Sequence, residues 1–183
     1  MPPRVRSRSS GDTTARTYTR GLDLLDGNTC DLSDAYGDRA RVFAPMLRHF
    51  GGRRRFAGAV ETLECFEDNS RLRELMNTAG DGRVLVVDAG GSPRCALLGD
   101  TIAKEAIAHG WIGIVIHGCV RDTLATLGLG VMALGSTPRR SAKNGEGRVG
   151  VPVELAGVPC SAGDLLVADE DGIVVIDAAS LEA

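Results

Sequence analysis

The sequence predicts a single α/β domain with a mixed sheet. The sheet is expected to combine central parallel strand–helix units with a C-terminal antiparallel hairpin region. Its length of 183 residues is that of a single typical domain. Between residues 83 and 136, short apolar runs alternate with helix-like segments, which is typical of parallel strands joined by right-handed crossovers. The last third contains short apolar runs separated by glycine-rich turns, which favours antiparallel pairing.

The middle of the chain has the clearest strand and helix signals. The apolar runs RVLVVD, CALLG, WIGIVIHG and VMALGS predict short strands, and RVLVVD has the character of a strand buried on both faces. DTIAKEAIAHG predicts a helix that is capped by Asp100 and ends at Gly110, with Ile102, Ala103, Ala106 and Ile107 on its apolar face. TLATLGLG predicts a further short helix, for which Asp122 is the expected cap.

The flanking segments have less regular patterns. TCDLSDAY predicts a short helix, and residues 56–66 predict an extended strand. DNSRLRELMN predicts a helix from the spacing of Leu72, Leu75 and Met76, with Asp68 or Asn69 as its cap. After a polar loop, VPVELAGVPCSAGDLLVADEDGIVVI predicts an antiparallel meander of short strands.

Composition excludes several functional classes. The formal net charge of −3 argues against a protein held on nucleic acid by many phosphate contacts. The basic clusters at 53–55 and 139–140 are interpreted as solvated loops. Five cysteines without a C-x-x-C pair argue against a zinc site. Their odd number and the absence of a signal peptide favour a reducing compartment. No apolar run approaches the roughly 20 residues that span a bilayer, so we expect a cytoplasmic protein without a membrane segment.

Residues 1–20 differ from the rest of the chain. They contain five arginines, several serines and threonines, and a single acidic residue, Asp12. This composition predicts a disordered basic extension, and an organelle transit peptide is the alternative interpretation. Residues 21–183 are expected to form the single folded domain.

Three polar residues follow predicted strands at positions that suit a ligand site. Asp100 comes after the run CALLG, and Arg121 and Asp122 come after WIGIVIHGCV. In open parallel sheets, ligands bind beyond the carboxyl ends of the strands. A helix start offers free N–H groups to an anion, a carboxylate suits Mg²⁺, and arginine offers a charged fork. The alternative is that both aspartates only cap helices and that Arg121 is a surface residue.

Other polar residues give weaker signals. His49, His109 and His117 are too far apart to share a helix face, and we interpret all three as structural. VVDAGGSPR has only two of the glycines that a nucleotide- or methyl-donor-binding turn needs, so a tight turn between strands is the better interpretation. The acidic run 169–171 lacks the spacing of a calcium-binding loop, and Asp171-Gly172 is expected to form a hairpin turn between two apolar runs.

A set of segments resembles a known family. GDTIAKEAIAHGWIGIVIHGCVRD, ALGSTPRRS and GDLLVADEDGIVV are similar to the family of the regulator of ribonuclease E activity A. That family also contains class II 4-hydroxy-4-methyl-2-oxoglutarate aldolases. FGGRRRFAGAVETLECFEDNSRL extends the resemblance, which covers roughly residues 29–177.

The resemblance implies roles for particular residues. The aldolases of the family have an Asp, twenty intervening residues and then Arg-Asp, and Asp100, Arg121 and Asp122 match that spacing. By resemblance, Asp122 anchors a divalent cation, Mg²⁺ or Mn²⁺, mostly through water. Arg121 contacts the substrate and stabilises the pyruvate enolate, and Asp100 holds a water used in proton transfer. The substrate carboxylate is expected on the backbone of four residues: Gly99, Asp100, Thr101 and Ile102.

The resemblance therefore implies a metal-dependent carbon–carbon lyase. Its substrate would be a small 2-oxo acid cleaved to pyruvate, with oxaloacetate decarboxylation as a second activity. It further implies a homotrimer with the site between subunits, to which longer aldolases add a neighbour's carboxylate that we do not place in this sequence. The alternative is a non-catalytic regulator that binds and inhibits a ribonuclease.

Overall fold

The computed structural model describes residues 25–181, and the predicted N-terminal extension at 1–20 lies outside that range. The helices of the described chain are α1 (Thr29–Tyr36), α2 (Ser70–Met76), α3 (Asp100–Ala108) and α4 (Ala178–Leu181). The strands are β1 (Ala40–Val42), β2 (Arg48–His49), β3 (Phe56–Glu64), β4 (Val84–Asp88), β5 (Ala96–Leu98), β6 (Gly113–Val120), β7 (Gly130–Ser136), β8 (Arg148–Val149), β9 (Val153–Leu155), β10 (Val158–Cys160), β11 (Leu165–Ala168) and β12 (Ile173–Ile176).

A ten-stranded mixed sheet organises the fold, which confirms the predicted fold class. Its main path runs β1-β12-β11-β3-β4-β6-β7-β2, with β5 beside β6 and β8 beside β3. The central pairs β3–β4, β4–β6 and β6–β7 are parallel. The outer pairs, β1–β12, β12–β11, β11–β3 and β2–β7, are antiparallel.

The central strands are covered on both faces, as their continuous apolar runs predicted. In β4, Leu85 and Val87 pack into one core cluster together with residues of α2 and α3. Val84 and Val86 pack into a second cluster, which contains residues of β11 and β12. Successive side chains of a strand point to opposite faces, so one strand contributes to two cores.

Two predictions for the chain's later segments are wrong in detail. Residues 123–129 form turns and no helix. Leu124 and Leu129 are both buried, so each end of this loop is fixed to the core, and Gly128 and Gly130 disfavour a helix. The C-terminal strands are antiparallel as predicted, but they do not form one meander. Instead β9 and β10 make a separate two-stranded sheet, and β11 and β12 form a hairpin within the main sheet.

Asp68 fixes the start of α2 to a distant loop. It is 1% exposed, and its carboxylate accepts hydrogen bonds from the N–H of Ser70 at 2.8 Å and from the N–H of Asn144. The sequence predicted Asp68 as one of two possible caps, and Asn69, the other, makes no capping bond with its side chain. Burial raises the pKa of Asp68, but hydrogen bonds from Ser70, Asn144 and Glu146 outweigh that effect and lower the pKa below its usual value.

Replacing this buried carboxylate should destabilise the protein and remove part of its acid sensitivity. Because the pKa of Asp68 is lower when folded, its contribution is present above the unfolded pKa of about 3.9 and is lost as the pH falls through the folded value. We expect Asp68→Asn to cost about 1–3 kcal/mol at pH 7, since one amide group would face the N–H donors. Denaturant titrations at pH 7 and pH 3 should show the difference shrinking in acid. Asp34→Asn, at an exposed position of α1, is the control. Equal losses at both pH values would contradict this role.

No helix within residues 25–181 is long and apolar enough to cross a membrane.

Candidate active site

Strand pairing brings the predicted site residues together. Leu98, the last residue of β5, is paired with Val120, the last residue of β6. The N–H of Arg121 also donates to the carbonyl of Leu98 at 2.9 Å. Gly99 and Arg121 therefore become neighbours although they are distant in sequence. The location, at the carboxyl ends of two parallel strands and the start of α3, is where open α/β sheets bind ligands.

These residues line a cavity of about 220 Å³. All six residues that the sequence predicted for the site belong to its wall: Gly99, Asp100, Thr101, Ile102, Arg121 and Asp122. The alternative that Arg121 is only a surface residue is not supported, because its side chain is 25% exposed and faces this cavity.

Asp122 has an unusual backbone conformation that turns its carboxylate back into the site. Its φ is +65°, in the left-handed region that aspartate tolerates better than most residues. The Oδ2 atom accepts hydrogen bonds from the N–H of Asp100 at 3.3 Å and from Nε of Arg121 at 3.2 Å. Asp122 was predicted as a helix cap, which is wrong because no helix follows it. Instead it joins the start of α3 to the end of β6.

Gly99 leaves room for that carboxylate. A Cβ atom at this position would lie 2.7 Å from Oδ2 of Asp122 and 3.3 Å from Cγ of Arg121. Gly99 also occupies the N-cap position of α3, so Asp100 is the first helical residue and not the predicted cap. Because Gly99 has no side chain, the Asp122 carboxylate can pack against its backbone, and no side chain caps the first N–H groups of α3.

We expect Gly99→Ala to remove most activity at this site with little loss of stability. The nearest atom belongs to the end of a flexible side chain, so the Asp122 carboxylate would move and the backbone would not. A displacement of about 1 Å in a positioned group can cost on the order of 100-fold in rate. The measurement is turnover together with melting temperature. Gly128→Ala is a matched control, because a Cβ there meets nothing within 4 Å. Normal turnover in Gly99→Ala would show that this contact is unimportant.

Asp100 is held as a carboxylate at the mouth of the site. Lys104, one turn further along α3, donates to its Oδ2 at 2.7 Å. That hydrogen bond is the main reason that the pKa of Asp100 lies below its usual value. At neutral pH, Asp100 can therefore accept a proton or orient a water, but it holds no proton to donate.

The start of α3 offers donors for an anion. Gly99 supplies no capping side chain, so the first N–H groups of α3 lack the side-chain partner that usually satisfies them. The N–H of Asp100 bonds to Asp122, whereas Thr101 and Ile102 line the cavity. The partial positive charge of a helix N-terminus adds to the attraction for a carboxylate.

The site offers one carboxylate that suits a divalent cation. Asp122 is 35% exposed, and only its Oδ2 is engaged by the hydrogen bonds above. Mg²⁺ commonly uses one or two carboxylates and keeps several waters. Within the described part of the chain, no three His, Cys, Asp or Glu residues cluster in a way that could hold a metal. The residues present thus fit a hydrated hard cation and do not fit a closed zinc cage.

Some residues at the site were not predicted from the sequence: Lys104, which bonds Asp100 without lining the cavity, and several residues of the cavity wall. Lys104 could have been recognised, because Asp and Lys four residues apart share a helix face. The other polar residues of the wall come from α2 and its N-cap position and from a loop between β7 and β8, and their proximity follows only from the fold: Asn69, Arg73, Arg140, Ser141 and Lys143.

The remaining polar signals lie away from the cavity. His49 bonds to the carbonyl of Asp169 at 2.7 Å, and His109 bonds to the carbonyl of Glu105 at 2.8 Å. His117 lies 3.8 Å from the carboxylate of Asp88. Residues 89–93 form the predicted tight turn, with both glycines at positive φ. The acidic run 169–171 forms the predicted hairpin turn, whose first carboxylate accepts the Thr29 N–H at 2.8 Å.

Comparison with known proteins agrees with the resemblance. A protein of Alkalilimnicola ehrlichii with the name "Putative 4-hydroxy-4-methyl-2-oxoglutarate aldolase" is 56% identical over 149 residues, which is 80% of this chain and 92% of that protein. The structure of the RNA-processing inhibitor RraA from Thermus thermophilus superposes with a TM-score of 0.80 at 47% identity, covering 82% of this chain and 92% of that one. A structure from Geobacillus kaustophilus named as an S-adenosylmethionine:2-dimethylmenaquinone methyltransferase has a TM-score of 0.80 at 42% identity, covering 82% and 95%.

The chain also matches the model of a protein family over most of its length. Residues 29–175 match the RraA-like family described as Aldolase/RraA, a range that contains the whole cavity wall and nearly all of the described strands. The chain belongs to the RraA-like, Aldolase/RraA family.

Proposed function

We propose that the protein is a divalent-metal-dependent aldolase of the cytoplasm. It cleaves 4-hydroxy-4-methyl-2-oxoglutarate, or a similar 2-oxo acid, to pyruvate, and it decarboxylates oxaloacetate. The observation that supports this most is the convergence of Arg121, Asp122 and the uncapped start of α3 on one small cavity. These groups supply an oxyanion donor, a metal ligand and a carboxylate site at one place. The names of close relatives support the same activity.

The cleavage follows from the chemistry of the substrate. The bond between C3 and C4 breaks, the 4-hydroxyl group loses its proton and becomes a carbonyl, and the electron pair passes into the enolate of pyruvate. That enolate then takes up a proton at C3. Oxaloacetate loses CO₂ to give the same enolate, so one site that stabilises it serves both reactions.

Two groups of the chain would hold the pyruvyl half. The N–H groups of Thr101 and Ile102 would receive the substrate carboxylate, as anions bind at helix starts. Arg121 uses Nε to bond Asp122, which leaves its two terminal nitrogens for the developing enolate oxygen. The bond to Asp122 orients the guanidinium group before the substrate arrives.

Asp122 and its waters would hold the cation, which when bound would act as a Lewis acid toward the substrate oxygens. Asp100, kept ionised by Lys104, would orient the water that takes part in proton transfer. We further propose a homotrimer with the site at a subunit boundary, as in the family that the sequence resembles.

A second candidate function is a protein regulator that binds and inhibits a ribonuclease. The structural similarity to the RNA-processing inhibitor RraA of Thermus thermophilus favours it. The two functions are separable by experiment, because the proposed cleavage depends on Arg121 and Asp122 and is assayed without a ribonuclease.

One assay tests the proposal directly. Pyruvate release is measured from 4-hydroxy-4-methyl-2-oxoglutarate and from oxaloacetate, with Mg²⁺ or Mn²⁺ present, for the wild type and for Asp122→Asn. We expect the wild type to release pyruvate from both substrates and the variant to be strongly impaired. If the wild type releases none from either substrate but inhibits a ribonuclease, the regulator is the correct function.

A further inference from the structure

One side of the cavity is formed by a loop that the proposed pyruvyl site does not use. This loop, residues 139–143, is called the strap, and it contributes Arg140, Ser141 and Lys143 to the cavity wall. It lies beyond β7 and crosses from β5 to the start of α2. The proposed roles of α3 and the β6 end account for none of its side chains.

The backbone of the strap is fixed at both ends. The N–H of Ala96 donates to the carbonyl of Arg139 at 2.8 Å, and the N–H of Ala142 donates to the carbonyl of Glu67 at 2.8 Å. Isolated bridges join Ala96 with Arg140, and Asp68 with Ala142. A loop held in this way presents its side chains from a preorganised backbone, which reduces the entropy lost when a ligand binds.

The charged side chains of the strap are exposed and have no ion-pair partner inside the described chain. Neither Arg140 nor Lys143 takes part in any of the ion pairs or side-chain hydrogen bonds found among residues 25–181. By contrast, Arg73 is paired with Glu105, and Arg121 is paired with Asp122. The Oγ atom of Ser141 is buried, and among the described residues it has no hydrogen-bond partner. Such an atom costs stability unless something else satisfies it.

The cavity wall carries a net positive charge. Four lining residues are cationic (Arg73, Arg121, Arg140 and Lys143) and two are anionic (Asp100 and Asp122), a net of +2 in a chain whose net charge is −3. A divalent cation at Asp122 would raise the local charge further. A ligand with one carboxylate, seated on α3, would leave the strap's charges and hydroxyl unmatched.

We propose that the strap is a subsite for the distal carboxylate of the substrate and makes the enzyme selective for dicarboxylic 2-oxo acids. This inference rests on the proposed 2-oxo acid site and adds the residues that set its specificity. Arg140 and Lys143 supply the charge, and Ser141 lies beside them in the same wall. The cavity of about 220 Å³ suits a small acid, since sites for drug-sized ligands occupy roughly 300–1,000 Å³.

A matched pair of substrates tests the subsite. 4-Hydroxy-2-oxoglutarate and 4-hydroxy-2-oxopentanoate share the bond that breaks and differ only in a terminal carboxylate or methyl group. We expect the wild type to prefer the dicarboxylate by about 10- to 100-fold in kcat/KM, the effect of one or two hydrogen bonds to a charged group. Arg140→Gln combined with Lys143→Gln should abolish that preference while leaving turnover of the methyl substrate within about two- to threefold.

A charge-matched control is available elsewhere on the surface. Arg39→Gln combined with Arg53→Gln removes two exposed positive charges away from the cavity and should leave the preference intact. If the strap variant lowers kcat/KM equally for both substrates, or for neither, the strap does not bind the distal carboxylate.

A binding experiment keeps this inference separate from catalysis. 2-Oxoglutarate and 2-oxopentanoate differ in the same way and lack the 4-hydroxyl group, so neither can undergo the retro-aldol step. Calorimetric titration in Mg²⁺ should show tighter binding of 2-oxoglutarate by the wild type, and loss of that difference in the strap variant. If binding follows this pattern but no substrate is cleaved, the proposed activity fails and the subsite stands. Equal affinity of the wild type for both acids overturns the subsite.

Ser141→Ala gives an independent measurement. Removing a buried hydroxyl without a partner should leave the melting temperature unchanged or raise it. If the hydroxyl bonds the distal carboxylate, the same change should lower the affinity for 2-oxoglutarate about tenfold and leave the affinity for 2-oxopentanoate unchanged. A lower melting temperature with unchanged affinities would assign Ser141 a structural role and remove it from the subsite.

Discussion

Arg121→Lys should lower turnover on oxaloacetate by about 100- to 1,000-fold, the cost of losing one preorganised oxyanion donor. Arg121 uses Nε for Asp122 and keeps two further nitrogens for the substrate, all in one plane. Lysine keeps the charge but has one nitrogen, which cannot bond Asp122 and the enolate oxygen at fixed positions together. The loss should therefore appear mainly in kcat, because the affected interaction is strongest in the transition state.

Stability separates this role from a structural one. Arg121 lies at a strand end beside a cavity, and replacements at such positions usually change the free energy of unfolding by about 0.5 kcal/mol or less. Turnover and melting temperature should be measured for the wild type and for Arg121→Lys, with Arg53→Lys as the control at an exposed position. Near-normal turnover would remove Arg121 from the mechanism. A loss of activity that follows a loss of stability would indicate that the arginine only supports the fold.

The sequence was sufficient for the central sheet because its strands are buried along most of their length. β4, β6 and β7 are continuous apolar runs, and such runs occur where helices or a second layer cover both faces of a strand. The three site residues were found by the same logic. Each follows a strand that the apolar pattern already located, and parallel pairing then brings their positions to one edge. Their assigned roles remain predictions.

The helix predicted for TLATLGLG, residues 123–130, shows where a local sequence pattern is insufficient. The leucines at 124, 127 and 129 instead attach a loop to the core. Leu124 and Leu129 are buried, the glycines weaken any helix, and the short turn leaves Asp122 free to adopt positive φ. The error therefore lies at the residue that the proposed function depends on most.

The position of the strap at the cavity could not be predicted from the sequence, for a different reason. Its basic residues were interpreted as a solvated loop, which is the usual state of such clusters. Its backbone bridges Asp68, some seventy residues earlier, and bonds to β5. Neither residue type nor spacing encodes those contacts, because they form only after the sheet and α2 have brought two distant segments together.

Removal of divalent cations should abolish pyruvate release, and added Mg²⁺ or Mn²⁺ should restore it. The expectation rests on Asp122, a carboxylate with an unengaged oxygen at the cavity wall, and on a donor set that suits a hydrated hard cation. The measurement is turnover on oxaloacetate after treatment with EDTA and removal of the chelator, followed by titration of each cation. Full activity in thoroughly metal-stripped protein would exclude a metal-dependent mechanism.

The variant Asp122→Asn tests whether Asp122 is the residue that binds the required cation. Asparagine also tolerates positive φ, and its amide oxygen can still accept the hydrogen bond from Arg121, so the backbone and the guanidinium group should stay in place. What is lost is the negative charge, and we expect the cation concentration for half-maximal activity to rise by about 10- to 100-fold, as for other weakened metal sites. Mn²⁺ binding measured by electron paramagnetic resonance gives the same comparison without catalysis. Asp34→Asn removes an exposed carboxylate elsewhere and should bind Mn²⁺ as the wild type does. Because the amide preserves the site's shape, unchanged Mn²⁺ affinity in Asp122→Asn would mean that the cation is held by groups other than Asp122.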